Sequence, residues 1–374
     1  MRNAALPLLL VAAAVLSSVA RADDPIRVGQ FGAFTGKEAA FGVSARKGAI
    51  LAIEEVNAAG GVLGRKIELI TEDNQSKQGE SATIVKKFVA RDHVVAVLGG
   101  NASANSLEAA PICQTAHVPM IAISSTDPKV TQMGDYIFRV CFIDPFQGAV
   151  LARFATETLK VKNVAVLTSM NSPYSVGLSR VFRERFFAGG GKIAADQRYS
   201  EGDKDFRAQL TAIKAAGAEA ILASGYYTEA ALICKQARAL GLTVPIFGGD
   251  GWEAPELLSI GGPAVEGTYY SASYTSESTS PEVVAFVQRF HARWDETPDS
   301  IAALGYDAAM LLVDALKRAG SAEGAALRTA LASTRDFPGV TGRTTIDAQR
   351  NASKSAVIIT VKEGKFAYVR TVEP

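Results

Sequence analysis

The chain has 374 residues, 39 Lys and Arg against 38 Asp and Glu, and a hydrophobic fraction of 48%. A balance this even offers no electrostatic footprint for nucleic acid or an anionic membrane surface as partner. The three cysteines, Cys113, Cys141 and Cys234, are odd in number and far apart, which argues against a disulfide framework, although one pair could close. At this length two domains are expected rather than one.

Arg2 precedes an apolar run from Ala4 to Leu16, and Ala20-Arg21-Ala22 stands just before Asp23. A charged start, an apolar core shorter than the ~20 residues of a membrane span and an A-x-A cleavage site read as a signal peptide over 1–22. An uncleaved anchor is the weaker alternative, and no Cys follows for lipid attachment. The mature chain is therefore expected to be exported and soluble.

After Pro25, strand-like and helix-like segments alternate. Ile26–Phe31 reads as a strand, followed by a Gly-rich turn and a helix over Ala45–Val56 with Ile50, Ile53 and Val56 near one face. Asn57–Gly61 ends that helix with residues that tolerate positive φ. Lys66–Thr71 is the next strand, and Val85, Phe88 and Val89 mark a helix. Val94–Leu98 is an unbroken apolar run of the kind expected in a strand covered on both faces. Gly99–Ser103 then turns into a helix, with Ser103 where an N-cap or a pocket hydroxyl would fall.

Met120–Ile123 is a buried apolar strand that ends abruptly in Ser124, Ser125 and Thr126, before Asp127-Pro128 stops it. In open α/β sheets ligands bind at the carboxyl ends of strands, and hydroxyls there can grip a small anion. Taken alone, the run reads more readily as a polar turn. A second series follows: strands Asn163–Thr168, Lys192–Tyr199, Ala220–Ser224 and Pro245–Phe247, with helices Val176–Ala188, Phe206–Ala216 and Glu229–Leu240 between them. Two βαβ series in succession imply an α/β fold with parallel sheets. The tail differs, with helices Glu282–Trp294 and Ile301–Ala319, a segment Thr341–Asp347, and strand Ala356–Lys362 entering a closing antiparallel pair.

No G-x-S-x-G elbow, phosphate-binding loop or H-E-x-x-H motif occurs. Cys113 and His117 are four apart on an expected helix, but two ligands do not make a zinc site. No catalytic residues, metal or cofactor are expected, and an enzyme is disfavoured.

The order and spacing of several short motifs do point somewhere. Gly29-x-x-Gly32-x-x-Thr35-Gly36 with Phe41-Gly42, then Asn57-x-x-Gly60-Gly61-x-x-Gly64, and then Val97-Leu98-Gly99-Gly100 open the chain. Ser124-Ser125-Thr126, Gly225-Tyr226, Gln236-Ala237-Arg238-x-x-Gly241 and Gly248-Gly249-Asp250-Gly251 follow. With these the chain resembles the periplasmic branched-chain amino-acid-binding proteins of ABC transporters, over essentially its whole mature length. The resemblance implies the type I periplasmic binding protein fold: two Rossmann-like lobes with parallel-sheet cores, joined by a three-segment hinge. The lobes are placed at 25–142 plus 275–350 and at 143–274 plus 351–374.

The resemblance also assigns a pocket. Ser103 matches a helix-start hydroxyl on the ligand carboxylate, and Ser124, Ser125 and Thr126 match the segment that holds carboxylate and ammonium. Tyr226 and Asp250 match the opposite-lobe aromatic and the acid that pairs with the ammonium. Tyr174 and Phe41 match aromatic positions at the side-chain end, and Trp252 is added as an apolar wall or as packing under the loop. The chemistry agrees, because a zwitterion needs donors on one side and an acceptor on the other. A helix start suits an anion, and a buried ammonium is costly without a counter-charge. On local grounds, though, Asp250 also reads as a turn residue, and Tyr174 and Tyr226 as half-buried packing.

Two departures from the family pattern bear on specificity. Phe41 stands where Tyr or Trp is common, and the family's first-lobe disulfide has no partners here, since Asn74-Gln75-Ser76 lacks a Cys. The expected function is capture of an aliphatic amino acid in the periplasm, by a monomer, for delivery to an inner-membrane ABC permease. The alternatives are an amide, urea or aromatic carboxylate as ligand, or a ligand-sensing role.

Overall fold

The computed structural model describes residues 24–373, so the expected signal peptide lies outside the described residues. The chain begins with β1 (Ile26–Gly32), α1 (Ala39–Ala58), β2 (Ile67–Asp73), α2 (Glu80–Lys87) and β3 (Ala96–Leu98). It continues through α3 (Ser103–Ala116), β4 (Met120–Ala122), the single turn α4 (Lys129–Gln132) and β5 (Ile137–Arg139). The five strands form one parallel sheet in the order β2-β1-β3-β4-β5, with Val28 opposite Ala96 and Val97 opposite Met120.

Period-2 alternation explains why β3 carries no polar residue. Val97 packs with Phe31, Val85, Phe88 and Cys113 on one face, while Ala96 and Leu98 join the cluster around α1 on the other. The ladder takes only three residues of the expected Val94–Leu98 run, because Val94 is still turning out of the preceding helix and bonds to Phe88 O.

The next stretch comprises α5 (Asp144–Arg153), β6 (Asn163–Ser169), α6 (Pro173–Ala188), β7 (Lys192–Tyr199) and α7 (Arg207–Ala215). After it come β8 (Ala220–Ser224), α8 (Tyr227–Ala239), β9 (Ile246–Gly248), α9 (Pro255–Gly261) and β10 (Tyr269–Ala272). Three helices follow, α10 (Pro281–Trp294), α11 (Ser300–Ala319) and α12 (Gly324–Ala332), then a small sheet of β11 (Phe337–Gly339), β12 (Gly342–Ile346) and β13 (Ala352–Ser353). The hairpin β14 (Ala356–Lys362) and β15 (Lys365–Val372) completes the chain. It extends the second sheet, whose order is β15-β14-β10-β9-β8-β6-β7. That sheet is parallel from β10 to β7, and β14 runs antiparallel to both of its neighbours.

The fold is therefore α/β with two sheet-centred lobes. Helix α11 returns to lie along α1, and the chain leaves the first sheet after β5, builds the second from β6 to β10 and rejoins that second sheet with β14. Gly48 and Gly305 permit the α1–α11 approach, since a Cβ at either would run into a backbone carbonyl, that of Ala302 or of Ala45 respectively. Among the described residues all three cysteines are free and buried. No described helix is long and apolar enough to cross a membrane. Cys113 and His117 do not share a helix face: the thiol is in the core, and His117 ends α3 with φ 55° and stacks on Tyr136 at 5.0 Å.

Candidate functional site

The C-terminal edges of the two sheets face each other, and each carries part of one cavity. In the first lobe, β3 runs into Gly99, whose φ of +136° turns the chain where a Cβ would sit 2.5 Å from Phe31 O. The loop then reaches α3, whose cap is Ala102; Ser103 is the first helical residue and not the cap. Its hydroxyl accepts a hydrogen bond from the Asp127 N–H at 3.2 Å, which joins the helix start to the end of the hydroxyl run.

Along that run the extended backbone sends alternate side chains to opposite sides. Ser124 and Thr126 face the cavity. Ser124 Oγ accepts from Asn101 Nδ2 at 3.1 Å, and the Thr126 hydroxyl is buried beside the carboxyl of Asp144. Ser125 points its side chain the other way, so its hydroxyl does not line the cavity. Its hydroxyl lies 2.7 Å from Ser106 Oγ and 3.1 Å from the carbonyls of Gly100, Asn101 and Ala102, so it ties the two loops together. Behind them the buried Arg139 guanidinium donates to the Ser125 carbonyl and, at 2.7 Å, to that of Asp127.

The second lobe supplies the opposite wall. Tyr174, at the start of α6, and Tyr226, the cap of α8, stack with ring centroids 5.5 Å apart and planes 18° apart. Phe41 of α1 reaches across from the first lobe, edge-on to Tyr226 at 5.7 Å and to Tyr227 at 5.1 Å. A short 3-10 turn after β9 presents Asp250, whose Oδ1 accepts from Gln147 Nε2 at 2.8 Å, while the Gly251 N–H donates to the Tyr174 hydroxyl at 3.2 Å. Trp252 does not line the cavity: it is fully buried beneath the turn and donates Nε1–H to Ala223 O at 3.0 Å. Its role is to hold the turn, and the expected apolar wall comes instead from Ile301 of α11.

Of the nine expected residues the structure brings seven to one cavity: Phe41, Ser103, Ser124, Thr126, Tyr174, Tyr226 and Asp250. Asn101, Gly251 and Ile301 complete the lining. Asn101 follows a Gly-Gly turn at a strand's carboxyl end, so position alone could have found it. Ile301 arrives from a helix about two hundred residues further along, with no local signal. Gln147 was also missed, because its role depends on meeting Asp250 from a different element.

Two buried acids stand near the cavity, Asp250 on its wall and Asp144 beside Thr126, and burial pushes the Asp144 carboxyl well up. Burial pushes the Asp250 carboxyl up to about 6, against the hydrogen bonds that favour its ionised form. Among the described residues no Lys or Arg forms an ion pair with it. Burial likewise holds the Tyr174 and Tyr226 phenols well above their ordinary range, so both stay protonated as hydrogen-bonding groups. The arrangement offers hydroxyls and a helix start on one side and a carboxylate on the other, with aromatic rings between. The cavity holds about 20 Å³, room for one water at this lobe separation. No cluster of metal-ligating side chains exists among the described residues.

Two sheet-centred lobes with a polar clamp between them define a ligand-trapping protein, and the chain belongs to the periplasmic binding protein family, whose profile matches residues 25–365. It is 32% identical over 315 residues to the leucine-, isoleucine-, valine-, threonine- and alanine-binding protein of Pseudomonas aeruginosa, covering 84% of this chain and 83% of that one. Among solved structures it is similar to the leucine-binding protein LivK of Thermotoga maritima, with TM-score 0.90, 39% identity, and 93% and 99% of the two chains covered. It is also similar to the branched-chain amino-acid-binding protein LivJ of Streptococcus pneumoniae in complex with isoleucine, with TM-score 0.89, 36% identity, and 94% and 100% covered.

Proposed function

We propose that this chain is the periplasmic binding protein of an ABC importer and captures an aliphatic amino acid, branched-chain ligands foremost, between lobes that close on it. One observation carries the reading: Asp250 is a buried carboxylate without a cationic partner, set across a small cavity from the hydroxyls of Ser124 and Thr126 and from Ser103 at the start of α3. A zwitterion answers both sides at once. Its ammonium supplies the counter-charge Asp250 lacks, and its carboxylate takes the hydroxyls and the positive end of the helix. Phe41, Tyr174, Tyr226 and Ile301 then enclose an apolar side chain. The names of the relatives point to the same ligands.

An aromatic carboxylate, an amide or urea brings no full positive charge and would leave Asp250 unpaired, a costly outcome in a buried site. On this reading the work is binding and hinge closure rather than catalysis. The first lobe comprises 25–142 with 275–350, and the second 143–274 with 351–374. Export follows cleavage after Ala22, and a monomer delivers its ligand to an inner-membrane permease.

Calorimetry with leucine, isoleucine, valine, benzoate and acetamide tests the ligand assignment. Saturable binding of the neutral aliphatic amino acids is expected, with benzoate and acetamide silent. Tight binding of benzoate together with no response to any amino acid would overturn it.

A further inference from the structure

The turn that carries Asp250 borders a second cavity. Asp250 and Gly251 line the small one; Glu253, three residues on, lines a groove of about 760 Å³, and the two cavities share no residue. That volume lies within the range of small-molecule sites. Both lobes contribute, with Ser44 of α1 and Asp299 before α11 on one side and Glu253, Glu256 and Phe366 on the other.

The groove is acidic, and although Asp299, Glu277 and Glu296 have partners, Glu253 and Glu256 each keep one free carboxylate oxygen. Five carboxylates line it against two lysines, and one of those, Lys47, is already paired with Glu296. Glu253 is buried; its Oε1 accepts the Ser300 N–H at 2.8 Å, and its Oε2 has no hydrogen-bond partner. Glu256 Oε2 and the hydroxyl of the buried Tyr274 are in the same condition, so three unpartnered polar atoms belong to side chains around one space. Buried polar groups in native proteins are otherwise almost always satisfied. Burial also raises the Glu253 and Asp299 carboxyls above their ordinary values, a cost that a cation would offset. The remaining wall is aromatic, with Tyr270, Tyr274 and Phe366.

We propose that this groove is a second ligand site, for an organic cation: an amine on an apolar body, held by Glu253 and Glu256 against the rings of Tyr270, Tyr274 and Phe366. Carboxylates beside aromatic faces suit an alkyl- or arylammonium group. A metal ion fits less well, since no three ligating side chains converge among the described residues.

Tyramine, an arylalkyl amine with no carboxylate, is the probe. It is titrated calorimetrically into Asp250→Asn protein, whose zwitterion site is disabled whatever its natural ligand, and into leucine-saturated wild type. Saturable one-to-one binding is expected in both. Glu253→Gln should weaken it about tenfold, as loss of a charged hydrogen-bond acceptor implies. Should Glu253→Gln fail to fold, Glu256→Gln on α9 carries the test, with weaker tyramine binding and unchanged leucine affinity expected. Absence of saturable binding in both proteins, or equal tyramine affinity in wild type and the folded Glu variants, would overturn the site.

Discussion

At neutral pH Asp250 carries a charge that its surroundings disfavour, and this gives the residue two opposed effects. Its folded-state value of about 6 lies above the ordinary 3.8, so the folded chain holds the proton more tightly than the unfolded one. A raised acid contributes stability that is present below the unfolded value and lost as pH rises through the folded value. The loss comes to about 3 kcal/mol by pH 7. Asp250→Asn should therefore stabilise the unliganded protein by up to about 3 kcal/mol at pH 7 and by much less near pH 4. Urea unfolding at the two pH values reads this directly, and equal stabilisation at both would contradict it. The same substitution should weaken leucine binding by about 2–5 kcal/mol, since the ammonium loses its partner. In wild type, affinity should be flat above pH 7 and fall about tenfold by pH 5, as Asp250 takes up a proton while the ligand stays zwitterionic. Asp250 and the hydroxyl run are singled out through the family resemblance, because on local grounds both read as turns at strand ends. That Ser125 faces inward while Ser124 and Thr126 face the cavity depends on the phase of the backbone alternation, which composition does not reveal.

At the scale of elements, strands and helices with strong periodicity appeared close to where the sequence placed them, and β7, β8 and β14 match residue for residue. The elements that were missed are those whose residues look wrong until their partners are known. Strand β5 is three residues long and ends in Arg139, a charged residue whose guanidinium is fully buried and donates from two nitrogens to carbonyls of the site loop. Likewise α1 begins at Ala39 rather than Ala45, because its first turns pack against the other lobe and lack a one-sided apolar stripe. The α1–α11 seam shows how a small residue can matter more than a large one. Gly305→Val would force a side chain into the Ala45 carbonyl and push the helices apart. A loss of at least about 1–3 kcal/mol is expected from overpacking of this kind. Thermal unfolding checks it, and an unchanged midpoint would mean that the seam yields at no cost.

The whole molecule adds what no segment contains, because each lobe is assembled from distant stretches and the site exists only where they meet. The two lobes also touch at the mouth of the cavity. Lys37 of the first lobe pairs with Glu201 of the second, and the Tyr227 hydroxyl donates to the Lys37 carbonyl at 2.7 Å. Phe41 meanwhile lies against Tyr226 and Tyr227. A cavity of about 20 Å³ cannot admit an amino acid, so the lobes must part for entry and re-form these contacts afterwards. The Lys37 side chain is 45% exposed and that of Glu201 12%, so the pair is partly screened and its worth is on the order of 1 kcal/mol. Lys37→Met should therefore weaken leucine binding by about fivefold, mostly through faster release, without abolishing it. In solution scattering the radius of gyration should fall when leucine is added to wild type, and the ligand-free variant should be at least as extended as ligand-free wild type. Unchanged release kinetics in Lys37→Met would mean that the mouth contacts follow closure without helping to hold it, leaving the clamp at Asp250 and the first-lobe hydroxyls to keep the lobes shut.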